Sequence, residues 1–92
     1  MTGPAGPGPA QPRVVVIGRP GCHLCDEAEA VVDEVCRAAG LGGRDAGWAV
    51  RSIDDDPELH AAYWELIPVV LVDGRQHTFY HVDPERLRAA LR

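Results

Sequence analysis

The chain predicts an α/β fold of order β-α-β-α-β-β-α, with a central mixed four-stranded sheet flanked by helices. Three observations carry this expectation. Val14-Val15-Val16-Ile17 and Val69-Val70-Leu71-Val72 are unbroken aliphatic runs of strand length. The stretch between them carries helix-type periodicity and a helix-entrance signal. Asp73-Gly74, directly after the second run, is a short-range hairpin signal.

Each element has its own justification. Residues 1–12 are rich in Gly and Pro and hold no core residue beyond the initiator Met, so a disordered tail is expected there and a single domain over 13–92. Val14–Ile17 reads as a strand buried on both faces, broken by Gly18-Arg19-Pro20-Gly21. From about Cys22 to Ala39, the residues Leu24, Ala28, Val31, Val32, Val35, Cys36 and Ala39 fall on one helix face. Asp26 and Glu27 suit its first turn, Arg37 its last, and Gly40 the position after its end. Trp48 to Ile53 alternates and predicts a strand near a sheet edge. Asp56 as N-cap and Pro57 at the first helical position open a helix of about two turns, with Leu59, Ala62, Tyr63 and Leu66 as its apolar face. Beyond the second aliphatic strand, Arg75–Tyr80 returns antiparallel. Asp83-Pro84-Glu85 then starts a last helix whose apolar positions are Leu87, Ala90 and Leu91.

Composition narrows the function classes. The net charge is −5, and all nine basic residues are scattered arginines. An acidic chain without a basic stripe is poorly suited to nucleic acid or to an anionic membrane surface. Three cysteines do not make a secreted disulfide scaffold. There is no apolar run of about 18 residues that would cross a membrane, and the N-terminus lacks the pattern of a signal peptide. A cytoplasmic setting is therefore expected, where a C-x-x-C pair is catalytic or metal-binding rather than structural.

Cys22-His23-Leu24-Cys25 sits at a strand-to-helix turn, the context of a redox dithiol. A thiolate is the attacking species, and the free N–H groups and dipole of a helix N-terminus favour one. Cys22, at or just before the cap, is the expected nucleophile. Cys25, one turn in and farther from solvent, is the expected resolving thiol. Arg19 adds positive potential nearby, whereas Asp26 and Glu27 act against a second anion. His23 either supports a thiolate when protonated or faces solvent.

The rival reading of C-x-x-C is a metal knuckle, which needs further ligands. His77 and His81 have H-x3-H spacing, but four residues of strand cover roughly 13 Å, too far for two rings on one metal. No metal ligands are therefore assigned. Cys36 lies about 16 Å along the helix from Cys25, whereas a disulfide needs Cα atoms within about 7 Å. It is expected to be a small buried hydrophobe.

Gly18-Arg19-Pro20-Gly21-Cys22-His23-Leu24-Cys25, Ile53-Asp54-Asp55-Asp56-Pro57-Glu58-Leu59, Tyr63, Ile67-Pro68-Val69-Val70 and Asp73-Gly74 together resemble the thioredoxin-like superfamily, and within it the short glutaredoxin-like proteins. The resemblance covers residues 13–92. It implies a thioredoxin-like fold, a cis bond before Pro68 with Pro68 facing Cys22, and backbone pairing of Ile67 with a substrate chain. It also places Arg19 and Asp83 at positions that contact glutathione in glutaredoxins. Where those proteins carry Gly-Gly ahead of the aspartate, this chain has Phe79-Tyr80-His81-Val82 ahead of Asp83. Cys-His-Leu-Cys likewise departs from the usual Cys-Pro-Tyr-Cys.

The expected function is a small thiol–disulfide oxidoreductase or electron donor, monomeric and requiring no cofactor. Its partners would be a disulfide-containing protein or a glutathione mixed disulfide. Glutathione or a reductase would serve as the reductant. The alternatives are an iron–sulfur or metal-binding carrier that uses Cys22, and a redox-inactive interaction scaffold.

Overall fold

The computed structural model describes residues 12–92, so the expected tail lies outside the described residues apart from Pro12. The order of elements is β1 (Val14–Gly18), α1 (His23–Ala38), β2 (Trp48–Ser52), α2 (Pro57–Tyr63), β3 (Val69–Val72), β4 (Arg75–Phe79) and α3 (Pro84–Ala90). The expected β-α-β-α-β-β-α order and mixed sheet are present. The strands lie in the order β2-β1-β3-β4. β1 pairs in parallel with β2 and antiparallel with β3, and β3 pairs antiparallel with β4.

Strand alternation divides the core into two layers. Val14, Val16, Val70 and Val72 pack with Ala28, Val32, Val35 and Cys36 of α1 and with Leu87 of α3. Val15, Ile17 and Val69 face the other way, against Leu59, Tyr63 and Leu66 on the α2 side. β1 and β3, central in the sheet, have their faces covered, which is why their sequences are continuously aliphatic.

Local chemistry fixes the ends of the elements. Cys22 is the N-cap of α1, and Gly40 beyond its end has φ 81°. Asp56 and Asp83 each accept two backbone N–H bonds at the starts of α2 and α3, with proline in the first turn. Asp73 and Gly74 have φ 53° and 84°, the left-handed pair that a type I′ hairpin needs.

Several helix assignments need correction. Leu24 is 36% exposed, and Ala39 and Ala62 are also exposed, so none of the three belongs to the buried faces assigned from periodicity. Leu24 lies in the first turn of α1. Ala39 lies past the last helical turn, and α2 buries only its Leu59–Tyr63 side. β4 ends at Phe79, not Tyr80, because Tyr80 turns to φ 66°.

Two side-chain links cross the fold. The Trp48 indole donates to Asp33 Oδ1 at 2.9 Å, which ties β2 to α1. Arg13 meets both oxygens of Asp73 at 2.9 and 3.0 Å and donates to the Leu91 carbonyl at 3.2 Å. It thereby fastens the start of β1 to the hairpin turn and to the end of α3.

Candidate redox site

The site is built along one edge of the sheet. Gly18, the last residue of β1, is level with Ser52 of β2. The β1–β3 register pairs Ile17 with Val69, so one residue further Pro68 comes level with Gly18. The row ends at Tyr80, whose N–H donates to the Pro68 carbonyl at 2.8 Å. Gly18 follows Val16 by two residues and Pro68 precedes Val70 by two, so both project to the α1 side, where the dithiol lies. The Ile67–Pro68 bond is cis, and the Pro68 side chain is fully buried.

At the N-terminus of α1, Cys22 has extended backbone angles (φ −99°, ψ 114°), and its sulfur accepts the backbone N–H of Cys25 at 3.2 Å. A cap oxygen normally takes this bond. Here a sulfur takes it, so an otherwise orphaned helix donor points at the expected nucleophile. Cys22 is partly exposed and Cys25 fully buried, and all three cysteines are free thiols. Burial pushes the Cys25 thiol up to about 12. Its hydrogen bond with Cys22 and the charges of Cys22 and Glu29 add to the rise, and a backbone hydrogen bond from Arg19 opposes it.

Cys25 can pack this far in because Gly18 has no side chain. A Cβ on Gly18 would stand 2.7 Å from the Cys25 sulfur, closer than such atoms approach. In sequence, Gly18 breaks the strand and opens the stretch that resembles the glutaredoxin-like proteins. Its place directly before the motif was the available signal for a packing role.

The other expected site residues are distributed as follows. Arg19 is exposed and pairs with Asp54 at 3.3 Å. His23 is 84% exposed and its Nε2 meets Glu27 at 2.9 Å, along the helix rather than towards Cys22. Ile67 is half-buried against the α2-side core. The Asp83 carboxylate caps α3, accepting from Glu85 at 2.9 Å and Arg86 at 3.5 Å. Cys36 is buried in the α1-side core. Burial, with the Asp33 charge as a smaller cause, pushes its thiol up to about 11. Among the described residues, no group of three or more His, Cys, Asp or Glu side chains is placed to hold a metal ion. No helix among them is long and apolar enough to cross a membrane.

Residues 13–92 match the family model described as Glutaredoxin-like domain (DUF836). Uncharacterised proteins of Mycobacterium tuberculosis (strain H37Rv) and Mycobacterium bovis are each 32% identical over 80 residues, spanning 87% of this chain and 82% of theirs. The solution NMR structure of a Nitrosomonas europaea protein superposes with a TM-score of 0.69 at 26% identity, with all of both chains covered. The X-ray structure of an X. campestris protein gives a TM-score of 0.59 at 35% identity, covering 85% of this chain and 93% of that one.

Proposed function

Since the chain belongs to the Glutaredoxin-like domain (DUF836) family, we propose that it is a thiol–disulfide oxidoreductase with Cys22 as nucleophile and Cys25 as resolving thiol. The observation that carries this reading is the Cys25 N–H bond to the Cys22 sulfur at a helix N-terminus, with the second sulfur buried directly behind. A sulfur receiving a helix donor is supported as an anion, and the thiolate is the reactive form.

The Cys22 thiolate attacks one sulfur of a substrate disulfide. A bond forms between Cys22 and that sulfur, and the substrate's S–S bond breaks to release the other half as a thiolate. Cys25 then attacks the Cys22 sulfur, closing the 22–25 disulfide and expelling the second thiolate. Two electrons pass from the dithiol to the substrate. Cys25 acts only once Cys22 is bonded, because only then does Cys22 offer a disulfide sulfur. Bonding also removes the Cys22 charge that helps to hold the Cys25 proton, which ends on the thiolate that Cys25 expels. A thiol reductant, glutathione or the dithiol of a reductase, restores both thiols by the reverse exchange. The cytoplasm is the proposed setting, because a reducing pool there keeps the pair supplied.

The test is a pair of variants. Cys25→Ser should accumulate a mixed disulfide on Cys22 that mass spectrometry identifies, and Cys22→Ser should lose disulfide reduction. Undiminished reduction by Cys22→Ser would overturn the reading.

A further inference from the structure

Tyr80 occupies a left-handed conformation, φ 66°, that bulky side chains seldom adopt. Such a conformation persists where its surroundings hold it, and it concentrates at functional positions. Two hydrogen bonds hold it here. The Tyr80 N–H donates to the Pro68 carbonyl at 2.8 Å, and its phenol O–H donates to the Glu65 carbonyl at 2.8 Å. Phe79 packs edge-on against the ring, with centroids 4.9 Å apart. The ring is therefore a fixed wall although it is 44% exposed.

Leu24, inside the cysteine motif, lines the same groove as Tyr80, together with Ala28, Val31 and Val82. Leu24 is itself 36% exposed, an apolar side chain left open two residues after Cys22 in the chain. The groove holds about 80 Å³. It is open to solvent on one side, so a side chain presented from outside can enter it.

The charges point the same way. Glu27 and His81 complete the lining, and no arginine or lysine contributes to it. Arg19, the basic residue nearest the motif in sequence, is engaged by Asp54. Glutathione carries two carboxylates, and nothing lining this groove offers them a fixed cation. A neutral or basic peptide meets no such conflict with Glu27.

We propose that Tyr80 and Leu24 form a side-chain subsite beside Cys22 that selects protein disulfides flanked by an aliphatic residue over glutathione mixed disulfides. The occupant is an extended segment of a partner protein, with its aliphatic side chain in the groove and its disulfide at Cys22. The proposal rests on the oxidoreductase reading, since it orients a substrate towards that sulfur.

The test compares rates of reduction for two probes. One is a lysine-containing peptide disulfide with leucine next to its cysteine, and the other is the mixed disulfide of glutathione with cysteamine. The wild-type protein should prefer the peptide by about tenfold or more, the scale of discrimination that a small apolar pocket achieves. Tyr80→Gly, which suits the left-handed backbone, should remove most of that preference. Leu24→Ser, at an exposed position that the core does not need, should shift it in the same direction. Equal rates for both probes, or a preference untouched in both variants, would overturn the subsite and leave the dithiol reading standing. A wild-type protein that reduces neither probe would overturn both.

Discussion

Gly18 and Cys25 are in contact at the end of β1, the glycine presenting a bare Cα to a fully buried sulfur. An added methyl carbon would lie 2.7 Å from that sulfur, so Cys25, the proposed resolving thiol, has its place only while residue 18 lacks a side chain.

Gly18→Ala should therefore act on both stability and chemistry. Overpacking at a buried site costs about 1–3 kcal/mol, which a shift in denaturant midpoint would reveal. Displacing Cys25 should slow its attack on the Cys22 mixed disulfide by about 10–100-fold, the usual scale for a misplacement of about 1 Å. Stopped-flow release of the second thiol measures this, and an unchanged release rate would show that the contact does not position Cys25.

The buried thiols should be inert to external reagents. Cys25 is pushed up to about 12 and Cys36 to about 11, each chiefly by burial. At pH 8 their alkylation in the native protein should run at least about 100-fold slower than that of a free cysteine, because only the thiolate reacts. Their rates should climb about tenfold per pH unit up to pH 10. Peptide mapping after iodoacetamide treatment reads all three sites, and rapid labelling of Cys25 at pH 8 would contradict the burial argument.

Acid should destabilise the fold in two stages. Burial, aided by the Arg86 charge, holds His77 below its ordinary 6.5. Between its folded and unfolded values the unfolded chain binds the extra proton, so stability falls as the pH drops from above 6.5. Asp33 is lowered by its bonds to Trp48 and Arg37, and Asp73 by its bond to Arg13. Their contributions are complete above the ordinary carboxylate value and disappear as pH falls through the lower folded values. Thermal melts from pH 8 to pH 3 should show both losses. His77→Gln should remove the first and leave the second, and an identical profile in this variant would rule His77 out as its source.

Much of the architecture could be read locally. The aliphatic runs located β1 and β3 because central strands are covered on both faces. Asp56-Pro57 and Asp83-Pro84 marked helix starts because cap chemistry needs only adjacent residues. Ala39 falls outside the buried face because the helix ends before it, and Leu24 and Ala62 share another cause. Periodicity gives the face a residue points along, but not whether another element lies opposite it.

By itself, the sequence determined the order of elements, the hairpin turn and the dithiol at a strand-to-helix junction, all set by residues within a turn or two of each other. Tertiary structure decided which residues surround that dithiol. Gly18 beneath Cys25, the level row from Ser52 through Pro68 to Tyr80, and the groove between Tyr80 and Leu24 all depend on strand register. Register is fixed by packing between segments some fifty residues apart, and no local pattern records it.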